Sequence, residues 1–201
     1  KWEHEKLIGT ELKNKTVGVV GLGKIGTEVI KRLHSFKMNV LGFDPYIKRK
    51  NYELDYVEFV ELDTLCQKCD FITIHVPKTD STVAMFDLDR LKMMKPTAQI
   101  VNCARGGIID EKDLITALNE KIISGAALDV FENEPLTESS LINANNILYT
   151  PHLGASTIEA KQGVSTAICD QVRDYLSDGT ISNALNIHIA DMDMLKSLEP
   201  Y

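Results

Sequence analysis

No stretch of this 201-residue chain is apolar over the ~18–20 residues that a bilayer span requires, so no membrane-spanning helix is expected. Charge runs are also missing. The longest basic cluster is Lys48-Arg49-Lys50, no block of five like charges occurs, and the formal net charge is −7. Lys48–Lys50 reads as a solvated loop. A nucleic-acid partner or an anionic membrane is therefore not expected, because both are held chiefly by clustered cations. Cysteines number only four. Cys66-Gln67-Lys68-Cys69 has metal-ligand spacing, but no second C-x-x-C or close histidine pair completes a zinc site, and no metal is expected. A redox pair belongs at a helix start, where the thiolate is stabilised. This pair falls where a helix signal ends and a strand signal begins, so it reads as two small semi-buried residues. With no secretory signal pattern, the cysteines suggest a reducing, cytoplasmic setting. The chain begins at Lys1 rather than Met, as a processed protein or an internal fragment would, and a fragment is the expectation.

What is present is a regular alternation. Apolar runs predict strands over Thr16–Val20, Asn39–Phe43, Tyr56–Val60, Phe71–Val76, Gln99–Cys103, Ala126–Phe131 and Ile147–Thr150. Helical spacing predicts helices over Lys24–Phe36, Leu62–Gln67, Leu88–Met94 and Glu111–Glu120, with a long one from near Ser156 to Ser177. Ile25, Val29, Leu33 and Phe36 are the expected apolar face of the first helix. Leu114, Ile115 and Leu118 are that of the fourth. Ser156-Thr157-Ile158-Glu159 fits a capping box for the last, whose apolar stripe is Val164, Ile168, Val172 and Leu176, with Gly179 just beyond its end. Strands joined by helices need crossover connections, and these give a parallel sheet covered on both faces. The expected fold is α/β, a doubly wound parallel sheet. The domain is expected over residues 1–187, with 188–201 as a tail outside the alternation.

Gly21-Leu22-Gly23-Lys24-Ile25-Gly26 is a G-x-G-x-x-G that follows a strand and opens a helix. One glycine permits the tight turn, one clears the way for a pyrophosphate, and the third lets helix and strand approach. The helix N-terminus offers N–H groups and partial positive charge to phosphates. Asp44 ends the second strand, 18 residues after Gly26. A carboxylate there accepts bonds from the adenosine ribose hydroxyls and repels a 2′-phosphate, which favours NAD over NADP; nearby Lys48 and Arg49 would soften the preference.

Three polar residues follow the last three strands: Arg105, Glu134 and His152. In an open α/β sheet, ligands bind beyond the carboxyl ends of the strands, so these three can converge beside a nicotinamide. Oxidation of a secondary alcohol needs a base for the hydroxyl proton, and a histidine serves both directions near neutral pH. A carboxylate on the ring stabilises the imidazolium. An arginine fork grips a substrate carboxylate.

Four segments then carry a resemblance. They are the glycine motif, Asn102-Cys103-Ala104-Arg105-Gly106-Gly107-Ile108-Ile109-Asp110, the run from Gly125 to Pro135, and Pro151-His152-Leu153-Gly154-Ala155-Ser156-Thr157. In this order the chain resembles the D-isomer-specific 2-hydroxyacid dehydrogenases from about Trp2 to Asn186. The resemblance implies a Rossmann-type NAD-binding domain, with Arg105 on the substrate carboxylate and Glu134 paired with His152, the acid/base. It further implies that Asp129 holds the nicotinamide carboxamide, that Lys24 and Ile25 offer N–H groups to the pyrophosphate, and that Val76 and Ala104 line the adenine and nicotinamide pockets. His152-Leu153-Gly154-Ala155-Ser156-Thr157 with Glu159-Ala160 is most similar to the branch that oxidises 3-phosphoglycerate in serine biosynthesis; a glyoxylate or hydroxypyruvate reductase is the alternative. A third reading is an NAD(H)-sensing protein like the corepressors that share the fold. Family members carry a second, substrate-covering domain. Its absence here implies an isolated cofactor domain with poor turnover, which would pair as a homodimer.

Overall fold

The structure is a computed structural model that describes residues 8–137 and 140–184. The chain divides into two compact units, Lys1–Gly154 and Ala155–Tyr201. The expected boundary at residue 187 and the tail over 188–201 lie outside the described residues.

The first unit is built on seven strands: β1 (Thr16–Val20), β2 (Asn39–Phe43), β3 (Val57–Phe59), β4 (Phe71–Ile74), β5 (Gln99–Asn102), β6 (Gly125–Leu128) and β7 (Ile147–Tyr149). All neighbours are parallel, and the order is β3-β2-β1-β4-β5-β6-β7. The first two strands end as expected and the other five stop one to three residues short, although His75 still donates to the Val20 carbonyl at 2.7 Å. Between the strands lie α1 (Lys24–Ser35), α2 (Leu62–Lys68), α3 (Leu88–Met93) and α4 (Glu111–Asn119).

Pleating sends alternate residues to opposite faces. Val17 and Val19 of β1 pack with Ile30, Met38, Val40 and Val57, while Val20 joins a larger core with Leu65, Ile72, Ile74, Ile100, Leu114 and Leu118. The α1 face differs from the expected one. Ile25 and Phe36 are exposed, and the helix buries Gly26 and Ile30 instead. A Cβ on Gly26 would stand 2.0 Å from the Gly21 carbonyl oxygen, so the helix meets the turn through its bare backbone. Helix α4 buries Leu114, Ala117 and Leu118 largely as its pattern predicts.

In the second unit, α5 (Ile158–Asp178) begins at Thr157, whose hydroxyl accepts the Ala160 N–H at 3.0 Å. The cap is thus Thr157 rather than Ser156. Both are cap-forming types, and only Thr157 sits three residues before the N–H it accepts. Gly179 closes the helix in the left-handed region at φ 74°. Val164, Ile168, Val172 and Leu176 are exposed.

Cys66 and Cys69 are buried and free, at the end of α2 as expected, and burial pushes both thiols up to about 12. Such thiols are protonated at neutral pH and inert. Among the described residues no helix is long and apolar enough to cross a membrane, and no cluster of His, Cys, Asp and Glu could hold a metal.

Candidate active site

Order reversal between β1 and β4 opens a crevice at the carboxyl ends of these strands. A cavity there is lined by Gly21, Gly23, Asp44, Val76, Thr82 and Arg90, among others. Gly21 is left-handed at φ 96°, and a Cβ would meet the His75 carbonyl at 2.5 Å. A Cβ on Gly23 would meet nothing within 4 Å, which leaves open space over the start of α1. Helix α1 has no side-chain cap, so its first N–H groups, Lys24 and Ile25 among them, have no side-chain acceptor at the helix's positive end. The cradle therefore fits a dinucleotide: a barred turn, an open approach, and uncapped donors.

Asp44 completes it. One carboxylate oxygen accepts the Leu22 N–H at 2.9 Å, and the other accepts those of Tyr46 and Ile47 at 2.9 and 3.1 Å. The side chain is thereby fixed at the strand end with lone pairs to spare. Arg49 does not lean toward it. Its guanidinium donates to the Tyr52 and Asp55 carbonyls at 3.3 and 2.8 Å and stacks over Phe59. Of the two cations expected to soften the NAD preference, Arg49 is thus held by its own loop rather than by Asp44.

Further along the same edge the structure joins Glu134 to His152. Glu134 Oε2 lies 2.7 Å from His152 Nδ1, and the Phe131 N–H donates to Oε1 at 3.0 Å. The His152 bond first, and the Phe131 N–H next, hold the Glu134 carboxyl below its usual range. Nε2 of His152 makes no hydrogen bond among the described residues. The backbone of His152 is left-handed at φ 52°, an unfavourable setting for a side chain with a Cβ.

Asp129 explains how that setting is kept. It is 5% exposed and accepts from the Thr150 hydroxyl at 2.5 Å and from the N–H groups of Leu153 and Gly154 at 2.8 and 2.9 Å. Burial pushes its carboxyl up, but these three bonds and the His152 charge together bring it below the usual range. Asp129 clamps both sides of the histidine turn. Arg105 follows β5 on a loop that packs through Gly106 against the Phe131 carbonyl. It is exposed, donates only to the Ala104 carbonyl at 2.6 Å, and meets no carboxylate among the described residues. Buried Asn102 braces the loop, accepting from Ala104 N at 3.0 Å and donating to the Arg105 carbonyl at 2.9 Å. Ala104 is half-buried against the core. A second, apolar cavity flanks Glu134 and His152, lined by Phe131, Leu136, Ile142, Tyr149 and Pro151.

The sequence reading missed Asn102, Thr150 and His75 as site residues. His75 lines the cofactor cavity, its Nε2 is 3.0 Å from the Thr73 hydroxyl, and burial lowers its basicity. Asn102 opens the Asn102–Asp110 segment, and an amide side chain at the end of an apolar strand run was the available signal.

A parallel sheet in this order, with a glycine cradle and an acid closing the second strand, defines a dinucleotide-binding domain. The family "D-isomer specific 2-hydroxyacid dehydrogenase, NAD binding domain" matches residues 1–154, and the chain belongs to it. Its cofactor is NAD. A D-3-phosphoglycerate dehydrogenase from Synechocystis sp. is 46% identical over 201 residues, all of this chain and 36% of that protein. A glyoxylate reductase from Paecilomyes thermophila matches with TM-score 0.84 and 30% identity, over 92% of this chain and 56% of that one. An NAD-dependent formate dehydrogenase from Staphylococcus aureus, solved with NAD, matches with TM-score 0.78 and 30% identity, over 87% and 52%. The chain thus spans about a third of the length of the curated relative and about half of each solved structure.

Proposed function

We propose that this chain is the cofactor half of an NAD-dependent oxidoreductase that interconverts 3-phosphoglycerate and 3-phosphohydroxypyruvate. The observation that carries the chemistry is the 2.7 Å contact between Glu134 and His152, with Arg105 meeting no carboxylate among the described residues. His152 Nε2 removes the hydroxyl proton as the alcohol is oxidised and returns it in reduction. Glu134 fixes the ring through Nδ1 and stabilises its charged form. Arg105 holds the substrate carboxylate in its fork and draws electron density from the adjacent carbon. Asp129 keeps the histidine turn in place. Bound NAD supplies the hydride acceptor. Asp44 and the glycine cradle hold its adenosine and pyrophosphate.

The substrate choice is supported by the 46% identity, over the whole chain, to a phosphoglycerate dehydrogenase. The fold match to a glyoxylate reductase favours the second reading, a reductase of small unphosphorylated keto acids. Comparing kcat/KM for 3-phosphohydroxypyruvate, hydroxypyruvate and glyoxylate separates them, in the enzyme that carries this domain. A preference of about a hundredfold for the phosphorylated acid, roughly 2.7 kcal/mol, is expected. Preference for the small acids would transfer the assignment to the second reading and leave the acid/base pair intact.

A further inference from the structure

We propose that Glu111, on the first turn of α4, is a positioning residue that holds the Glu134 loop against His152. This rests on reading Glu134 and His152 as the acid/base pair. Glu111 Oε1 accepts the N–H of Glu132 at 2.7 Å, two residues before Glu134. The preceding N–H, on Phe131, is held at 3.0 Å by Glu134 itself, which leaves Oε2 for His152. Two consecutive backbone donors are therefore fixed by two carboxylates, one from inside the loop and one from α4. From the other side the loop is pressed onto the arginine loop, for a Cβ on Gly106 would lie 1.8 Å from the Phe131 carbonyl oxygen.

Helix α4 does not need Glu111 as a cap. Asp110 already accepts from Lys112 and Asp113, both at 3.0 Å. Nor does the local field favour a carboxylate there: burial most of all, then the Glu132 and Asp110 carboxylates, push the Glu111 carboxyl up. Lys78, whose ammonium lies against Gly107 beside Glu132, is the nearby cation. A half-buried acid set among two others, bonded across to a loop it does not belong to, is an anchor for that loop.

Electrostatics and geometry predict opposite signs, which makes the test decisive. Removing the Glu111 charge alone would lower the Glu134 carboxyl further, because a like charge is lost. Loosening the loop would raise it, because its bonds to Phe131 and His152 weaken. The experiment is a carbon-13 titration of the Glu134 carboxyl in this chain. Glu111→Ala and Glu111→Asp, the latter one methylene short with its charge kept, should each raise the Glu134 midpoint by about half a unit or more. Glu111→Gln keeps an acceptor at the same reach and should not raise it. A folded Glu111→Ala or Glu111→Asp chain with an unmoved or lowered Glu134 midpoint would overturn the proposal, whatever its melting temperature. In the enzyme carrying this domain, the same two variants should move the basic limb of the keto-acid reduction profile to lower pH. The acid/base reading fails separately, if Glu134→Gln retains wild-type kcat there while the titration behaves as above.

Discussion

Asp129 must be ionised to serve three donors at once, and burial works against that. The Thr150 hydroxyl and the Leu153 and Gly154 N–H groups outweigh burial, so the folded carboxyl is more acidic than in an unfolded chain. A group depressed on folding adds stability above its unfolded value and loses it as pH falls through its folded value. Asp129 is thus fully stabilising at neutral pH and progressively less so below the ordinary aspartate range. Asp129→Asn would turn an amide toward N–H donors, and at pH 7 it should cost about 1–3 kcal/mol by urea unfolding. The gap from wild type should close in acid; a gap constant down to acid denaturation would place the residue outside this linkage. At Asp44 the arithmetic is for binding. Losing charged hydrogen bonds to the ribose is worth about 1.5–3 kcal/mol, so Asp44→Ala should weaken NADH binding roughly 10- to 100-fold by fluorescence titration. Unchanged binding would remove Asp44 from the site.

Elements were legible where periodicity is set by side chains and illegible where it is set by their absence. The seven strands and five helices follow from apolar runs and 3.6-residue spacing, and all occur within one to three residues of expectation. The face of α1 does not, because it is centred on Gly26 and Ile30, and Gly26 is a contact that no hydrophobic pattern registers. The lost Cβ draws the helix onto the Gly21 carbonyl and turns Ile25 and Phe36 outward. Strand ends ran short for a related reason. Residues after Ile74, Asn102, Leu128 and Tyr149 leave the ladder to build the ligand rim, although their composition is still that of strands. Gly26→Ala tests the close approach. Its methyl would force α1 away from the turn, so a destabilisation of about 1–3 kcal/mol is expected from overpacking, with weakened NADH binding. A neutral effect on both would show that α1 can retreat without disturbing the cradle.

For the molecule as a whole, the Glu134–His152 pair was readable because each residue follows its own strand, and parallel strands end on one edge. The clamp of Asp129 on Thr150, Leu153 and Gly154 was not, because it joins two loops whose meeting depends on β6 lying beside β7. The same geometry bears on what the chain can do alone. Gly21, Gly23 and Asp44, the residues proposed to hold the cofactor, line one cavity within the first unit. The side chains of His152 and Glu134 are 50% and 36% exposed. The curated relative is about three times longer. Hydride transfer beside a half-exposed acid/base pair forgoes the water exclusion and positioning that closure supplies. The chain should therefore bind NADH with ordinary affinity while reducing keto acids at least about a thousandfold more slowly than the enzyme that carries this domain. Fluorescence titration and steady-state turnover, measured side by side, separate the two properties. Family-like kcat from these 201 residues would mean that closure contributes little, and that Arg105, Glu134 and His152 suffice on one wall of the site.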